Sequence, residues 1–232
     1  PVDLAGSLDG VAWSSRPRPV EGSYMPVFNA GVSMGRSIAS VNGVLGVGFS
    51  HQEGHIEAIA MDSSFSREEP FLACHFSGGT TEIVTVKPRI RNIVLNTGIF
   101  YDIDIVGGTR DIAYGQVVDR AGVAMGLGFP AGEELDAMAM RATYATQLLT
   151  PIKVNSGYMN LSGIDTQIKR LLDGESVTMQ QEAFVRECFE RIGDSIAKAL
   201  SQCVNMTGID RVLMAGGVSS SRFIRQYLKD KG

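Results

Sequence analysis

The sequence LACHFSGGTTEIVTV (residues 72–86) and the later FYDIDIVGGTRDIAYGQVVDRAG (residues 100–122) decide the fold. In the first stretch, the runs on either side of Ser77-Gly78-Gly79-Thr80 are β-branched, aromatic or apolar, which predicts a strand, a tight turn and a strand. In the second, an alternating run breaks at Gly107-Gly108-Thr109 and leads into a predicted helix over residues 111–124. Paired glycines let backbone N–H groups close on an anion. An ordinary hairpin turn is the alternative interpretation of each pair.

A third glycine loop follows the apolar run at residues 211–215. The segment Gly216-Gly217-Val218-Ser219-Ser220-Ser221 separates this run from a predicted helix over residues 222–229. A strand, a glycine loop and a helix start bring free N–H groups and a positive dipole end to one point, which is an anion-binding geometry. A tight turn with serine caps is the alternative.

Two of the three histidines stand four residues apart. His51 and His55 lie in a predicted helix over residues 50–61, and Ser50 with Glu53 forms a capping-box pattern at its start. Imidazoles at this spacing share one helix face and can share a metal ion that needs one or two further ligands. Two ordinary helix histidines are the alternative. The zinc-protease motif is excluded, because it places glutamate directly after the first histidine.

The composition limits the class of protein. A chain of 232 residues that is 44% hydrophobic is globular, and its net charge of −4 gives no global attraction for nucleic acid or membranes. Any RNA contact would therefore need a local basic patch or a basic partner. Three cysteines without a C-x-x-C pair predict a reduced, cytoplasmic protein, and the sequence predicts no membrane span. It begins at Pro1 without a methionine, so we expect a piece of a longer chain.

Predicted strands alternate with predicted helices, so the fold class is α/β. The glycine loops match neither the Walker A motif nor the dinucleotide-binding motif. The predicted helices cover residues 26–41, 50–61, 111–124, 133–149, 162–172, 178–206 and 222–229.

These motifs, in this order, resemble the TsaD-like threonylcarbamoyl-transferases, a family also known as glycoproteases or O-sialoglycoprotein endopeptidases. The resemblance is carried by His51-x-x-x-His55, Ser77-Gly78-Gly79-Thr80, Asp111 with Asp119, Pro130-Ala131-Gly132, Ser162-Gly163, and Gly216-Gly217-Val218-Ser219 with Arg222. It implies the two-lobed actin-like ATPase fold of sugar kinases and heat-shock ATPases. Residues 1–66 would be the remainder of an incomplete N-terminal lobe, carrying the histidine helix. Residues 67–232 would be the C-terminal lobe, with the nucleotide-binding glycine loops.

The resemblance also implies ligands and a reaction. In the family, the two histidines and a later aspartate hold an iron or zinc ion. The positions that would hold ATP, ADP or the acyl-adenylate are Ser77, Gly78, Gly79, Thr80, Asp119, Gly132, Gly216, Gly217 and Ser221. The family transfers threonylcarbamoyl from its adenylate to the tRNA adenosine beside the anticodon. Protease activity is not expected, because the sequence offers no credible protease constellation.

The sequence also departs from the family pattern. Ser221 stands where asparagine is usual, Asp165 where lysine is usual and Gln116 where glutamate is usual. The family's first phosphate loop and its third metal ligand fall outside this chain. These differences indicate a diverged paralogue.

Three functions therefore remain open. They are a TsaD-like transferase, a non-catalytic nucleotide-binding paralogue that acts as a regulatory partner, and an unrelated metallohydrolase that uses His51 and His55. Family members pair with a smaller paralogue, so we expect a heteromer or a homodimer. Residues 26–41, rich in small side chains, are the candidate contact surface.

Overall fold

The computed structural model describes residues 8–61, 68–88, 101–174, 177 and 180–231. The chain divides into two compact units. The first comprises Pro1–Pro70 and Val86–Ile103, and the second comprises Phe71–Thr85 and Asp104–Gly232. The boundary predicted between residues 66 and 67 lies outside the described residues and stays a prediction.

The first unit contains two parallel strands and two helices, namely β1 (Gly10–Arg16), α1 (Phe28–Asn42), β2 (Leu45–Ser50) and α2 (His51–Met61). Parallel strands need a crossover connection, and α1 provides it. This helix, predicted over residues 26–41, packs closely on β1 at Gly35, where an added Cβ would lie 2.5 Å from the Trp13 ring. The predicted capping box is also confirmed. Ser50 N–H donates to Glu53 Oε2 at 3.0 Å, and Glu53 N–H donates to Ser50 Oγ at 3.1 Å.

The second unit is built on a sheet with the strand order β6-β7-β5-β4-β3-β8. The strands of this sheet are β3 (Phe71–Phe76), β4 (Thr81–Pro88), β5 (Tyr101–Thr109), β6 (Val154–Asn155), β7 (Tyr158–Met159) and β8 (Val212–Ala215). The last three residues of β4 and the first three of β5 are assigned to the first unit. Strands β3 and β8 pair in parallel, with Leu72 opposite Val212 and His75 opposite Ala215. Because parallel strands end at the same edge of a sheet, the glycine loops that follow β3 and β8 meet there.

Six helices complete the second unit: α3 (Tyr114–Ala124), α4 (Gly132–Arg141), α5 (Ser162–Leu172), α6 (Gln181–Thr207), α7 (Gly217–Ser220) and α8 (Arg222–Lys231). The long helix α6, predicted over residues 178–206, buries one apolar face that includes Phe184, Ile192 and Ile196. It ends at Gly208, which takes a left-handed φ of 70°. Residues 178 and 179, at the start predicted for this helix, lie outside the described residues. No helix in the described part of the chain is long and apolar enough to cross a membrane.

The predicted turn at Gly107-Gly108 is wrong. Both glycines belong to β5, and Gly108 pairs with Tyr158 of β7. A Cβ at Gly107 would lie 2.7 Å from the Gly157 carbonyl oxygen. The glycines therefore permit close approach of two strands, which is another established use of glycine within a sheet.

The helix predicted over residues 133–149 ends early, at Arg141. Beyond it, the buried carboxylate of Glu187 accepts hydrogen bonds from Thr146 Oγ1 and from the N–H groups of Leu148 and Leu149. These N–H groups are bonded to a side chain of α6, and this tertiary contact overrides the helical propensity of the segment.

Candidate functional site

The loop after β3 is a tight turn held by its own serine. Ser77 N–H donates to the Thr80 carbonyl at 2.8 Å, and Ser77 Oγ accepts from Thr80 N–H at 3.1 Å. An added Cβ at Gly78 or Gly79 would meet nothing within 4 Å, so both glycines face open space. Ser77 and Thr80 thus shape the loop, and the glycines leave its backbone accessible.

Helix α3 packs directly beneath this loop through Gly115. Its N–H donates to the Ser77 carbonyl at 3.1 Å, and a Cβ there would lie 2.6 Å from the Gly78 Cα atom. A side chain at this position would displace the turn. Sequence reasoning missed Gly115. The available signal was an isolated glycine inside a predicted helix, which usually has a packing or functional reason.

The loops after β3 and β8 border a cavity of about 730 Å³. Gly78, Asp119, Gly132, Gly217 and Ser221 line it, so the fold brings together five of the nine residues assigned to the nucleotide. This volume is within the range of ligand pockets, about 300–1,000 Å³. The remaining lining residues are Gly115, Val118, Phe129, Pro130, Glu133, Asp136, Phe189, Ile192, Val218, Ser220, Arg222 and Ile224.

Four assigned residues support the loops without lining this cavity. Ser77, Gly79 and Thr80 form the turn after β3, as described above. Gly216 has a φ of 96°, and a Cβ there would run into the Phe76 carbonyl oxygen. Glycine is therefore required at Gly216 for two reasons, its left-handed backbone and its contact with β3.

Carboxylates hold the cavity walls in place. Asp119 accepts a hydrogen bond from Ala131 N–H at 3.0 Å, which fixes the turn before α4. Asp136, a buried residue that sequence reasoning missed, accepts hydrogen bonds from the N–H groups of Arg222 and Phe223 at 3.1 and 3.0 Å. Its position four residues after Gly132 was the available signal, because that spacing places both on one helix face.

The hydroxyl of Ser221 is hydrogen-bonded within the protein. Its hydroxyl donates to Asp136 and accepts from Ile224 N–H at 3.1 Å, so it caps α8. The first N–H groups of α8 are thus satisfied by Asp136 and Ser221. A ligand phosphate would have to rely on the glycine loops, because the start of α8 already holds an anion.

A second cavity of about 710 Å³ shares Gly78, Asp119 and Phe129 with the first. Arg120 of α3 and Asp165 of α5 line it and form an ion pair at 3.0 Å. Asp165 stands where lysine is usual in the family, and Arg120 neutralises the negative charge that this difference introduces.

Asp111, which precedes α3, connects this helix to the start of α5 through hydrogen bonds. Its carboxylate accepts hydrogen bonds from the N–H groups of Ile112, Leu161 and Ser162 at 2.7, 2.8 and 3.0 Å. Burial alone would raise the pKa of this carboxyl. The hydrogen bonds outweigh burial and bring the pKa well below its usual range.

The histidine pair belongs to the first unit. On α2, His51 Nε2 and His55 Nε2 lie 3.0 Å apart, and both side chains are exposed. Two nitrogens at about 2.0–2.1 Å from one ion can be this close. The pair can equally share a hydrogen bond, with one ring as donor.

Within the described ranges, no group of three or more histidine, cysteine or carboxylate side chains could hold a metal ion. The histidines therefore fit two positions of a metal site, and the described residues do not complete it. Their assignment as metal ligands stays a prediction.

Comparison with solved structures shows which fold the chain has. HypF from T. kodakarensis matches 89% of this chain and 35% of its own, with a TM-score of 0.59 at 13% identity. Full-length HypF in a phosphate- and nucleotide-bound form matches 96% of this chain and 50% of its own, with a TM-score of 0.50 at 11% identity. The chain has the actin-like ATPase fold that the sequence predicted.

The family follows from sequence comparison. Residues 4–232 match the TsaD family, tRNA N6-adenosine threonylcarbamoyltransferase. A tRNA N6-adenosine threonylcarbamoyltransferase from Gloeobacter violaceus is 31% identical over 229 residues, which cover 97% of this chain and 62% of that relative. The chain belongs to the TsaD family, as its motifs indicated, and it spans about three fifths of this curated relative's length.

Proposed function

We propose that the protein binds ATP, ADP or an acyl-adenylate in the cavity between the loops after β3 and β8. The observation that carries this proposal is the convergence of Gly78, Asp119, Gly132, Gly217 and Ser221 on one cavity of about 730 Å³. The glycine loops would supply N–H groups to a phosphate. The carboxylates of Asp119 and Asp136 would accept hydrogen bonds from ribose hydroxyls, and Phe129 would stack on the base.

We further propose that the full-length protein is a TsaD-like transferase that acts on the tRNA adenosine beside the anticodon. Membership of the family supports this reaction. The adenosine N6 would form a bond to the carbamoyl carbon and lose a proton. The bond from that carbon to the phosphate oxygen would break, and AMP would leave with its electron pair. The chain's contribution would be to fix the adenylate and exclude water around it.

His51 and His55 would supply two ligands to an iron or zinc ion. Such an ion, when bound, supplies Lewis-acid polarisation and a template for orientation. The cytoplasmic location stays a prediction.

The first test is calorimetric titration of ATP and ADP into this chain and into the full-length protein. We expect micromolar binding that is lost in Asp119→Ala. Asp119→Asn removes the charge but keeps an acceptor for Ala131 N–H, so it distinguishes an effect of the charge from an effect of the turn. Asp104→Ala is the matched control, because Asp104 is exposed and lines neither cavity. Absence of binding in the full-length protein would refute the proposal.

The second test is transfer itself. Full-length protein, its partner proteins, ATP, threonine, bicarbonate and an unmodified tRNA should yield a threonylcarbamoylated adenosine, detected by mass spectrometry of digested tRNA. Nucleotide binding without this product would favour the alternative, a non-catalytic regulatory paralogue.

The alternative has structural support of its own, because the Arg120–Asp165 pair and the capping role of Ser221 both alter positions that the family uses. A metallohydrolase is not proposed, because no observation beyond the His51–His55 pair favours it over the family's reaction.

The predicted partner, a smaller paralogue or a second copy, remains a proposal. Helix α1 supports it, because Met34, Ile38 and Val41 are exposed on it. Exposed apolar side chains on one helix are typical of contact surfaces. Light scattering of the chain with and without the paralogue tests this, and Met34→Glu should reduce the complex if α1 forms the contact.

A further inference from the structure

A third cavity, of about 500 Å³, shares no lining residue with the two described above. It lies where the end of β5, the β6–β7 hairpin and the start of α5 meet. Its polar lining residues are Arg110, Thr150, Lys153, Asn155, Tyr158, Asn160, Ser162 and Gln167. Of the motifs quoted from the sequence, only Ser162-Gly163 reaches this cavity, and no ligand was assigned to it.

The cavity is positively charged, although the chain as a whole carries −4. Arg110 and Lys153 line it, and no carboxylate does. Neither cation has an ion-pair partner among the described residues, whereas other arginines of this unit, such as Arg120 and Arg141, pair with carboxylates. The nearby Asp111 carboxylate accepts hydrogen bonds from the N–H groups of Leu161 and Ser162 at the start of α5 and does not line the cavity.

The Arg110 guanidinium stacks on the Tyr158 ring. The guanidinium carbon of Arg110 lies 4.9 Å from the centre of the Tyr158 ring. The backbone N–H of Arg110 donates to the Met159 carbonyl at 3.0 Å, which holds this residue against β7. A guanidinium that stacks on tyrosine keeps its N–H edge free for an anion and loses less side-chain freedom on binding. Arginine and aromatic planes are also the surfaces on which unstacked RNA bases pack.

Helix α5 separates this cavity from the second cavity. Ser162, Gly163 and Ile164 face the basic cavity, and Asp165 with Ile168 lines the second cavity. The second cavity in turn shares Gly78 and Asp119 with the proposed nucleotide cavity. A strand bound in the basic cavity would therefore lie across α5 from the second cavity, which borders the proposed nucleotide cavity.

We infer that this basic cavity binds a phosphodiester of the RNA acceptor, through Arg110 and Lys153, with Tyr158 supporting the guanidinium. The inference rests on the proposed function for the identity of the acceptor. Phosphate contacts position a nucleic acid without reading its sequence, and they dominate its affinity. In an acidic chain, a local basic site of this kind or a basic partner is needed for an RNA contact.

The test measures binding of an unmodified tRNA transcript to the chain at several salt concentrations. The variant is Arg110→Gln with Lys153→Gln. The matched control is Arg225→Gln with Lys229→Gln, since these are an arginine and a lysine exposed on α8 and outside all three cavities. Each lost phosphate contact lowers the slope of log affinity against log salt by about 1. The variant loses the one phosphate contact of this cavity, so we expect its slope to be smaller in magnitude by about 1, with an unchanged slope in the control.

ATP titration and thermal unfolding of the double variant and the double control distinguish loss of the RNA contact from loss of the nucleotide site or of the fold. Unchanged ATP affinity and melting temperature in Arg110→Gln with Lys153→Gln would show that only the RNA contact was lost. Absence of ATP binding by the full-length protein, with the RNA result as expected, would refute the proposed nucleotide site and leave this inference standing.

Three results would overturn the inference. They are no tRNA binding by the unsubstituted chain, equal salt slopes in variant and control, and AMP or inorganic phosphate that binds this cavity while tRNA affinity is unaffected by the variant. The single substitution Lys153→Gln serves if the double variant is unstable, because Lys153 makes no hydrogen bond or ion pair within the described ranges.

Discussion

Asp136 on α4 accepts a hydrogen bond from the hydroxyl of Ser221, the residue that caps α8. The two residues are far apart in sequence, and their contact fixes the end of the last glycine loop beside the proposed nucleotide cavity. This loop is therefore set by a carboxylate on another helix as well as by its own glycines.

We expect Ser221→Ala to lower the free energy of unfolding by about 1 kcal/mol, because the cap of α8 is lost and Asp136 loses a donor. Ser221→Asn should recover much of this, since asparagine is also a good cap. Urea unfolding measures both. Ser220→Ala is the control, because its hydroxyl bonds only to the Gly216 carbonyl, and an equal loss there would contradict the capping role.

Gly115→Ala should weaken ATP binding by displacing the loop after β3. An alanine Cβ would lie 2.6 Å from Gly78 Cα and 2.7 Å from the Ser77 carbonyl oxygen, and backbone atoms cannot move aside cheaply. Calorimetric titration measures the change. Gly163→Ala is the control, because a Cβ there meets nothing and alanine favours the helix by up to about 1 kcal/mol. Unaltered affinity in Gly115→Ala would mean that this loop does not contact the nucleotide.

His51→Ala and His55→Ala should each abolish high-affinity binding of zinc to the full-length protein, because either change leaves one of the two nitrogens that lie 3.0 Å apart. Metal content after dialysis measures this. His75→Gln is the control, since His75 belongs to β3 in the other unit. Metal retained by both single variants would favour the interpretation of the pair as a hydrogen bond.

Asp111→Asn should reduce stability at pH 7, and the difference from the unsubstituted chain should shrink below about pH 4. The sign follows from the pKa of Asp111, which is lowered in the folded chain despite burial because N–H groups of α5 bind the ionised form. The stabilisation is present above the carboxyl's unfolded pKa of about 3.9 and is lost as the pH falls toward its folded pKa. Urea unfolding between pH 3 and 7 tests this, and a difference that is independent of pH would contradict it.

Gly35→Ala should destabilise the first unit and alter the fluorescence of Trp13, which is the only tryptophan. An alanine Cβ would lie 2.5 Å from the indole ring, so the ring or α1 must move. Gly31→Ala is the control, because its Cβ would meet the Ser14 carbonyl oxygen at an ordinary 3.5 Å. Equal fluorescence and unfolding midpoints in both variants would show that α1 can shift without cost.

The sequence by itself determined the local elements and the family. The spacing along α6, the capping box at Ser50 and the glycine that ends α6 are local signals, because caps and amphipathic faces depend on residues within one or two turns. The order of the histidine pair and glycine loops was specific enough to indicate the TsaD family and its fold.

The tertiary structure decided which of these residues meet. The parallel pairing of β3 with β8 brings two glycine loops to one edge, and close packing makes Gly115 and Asp136 part of the same cavity. It also ended α4 at Arg141 through Glu187 and kept Gly107 inside a strand. Such outcomes depend on partners distant in sequence, so neither local propensity nor motif spacing could reveal them.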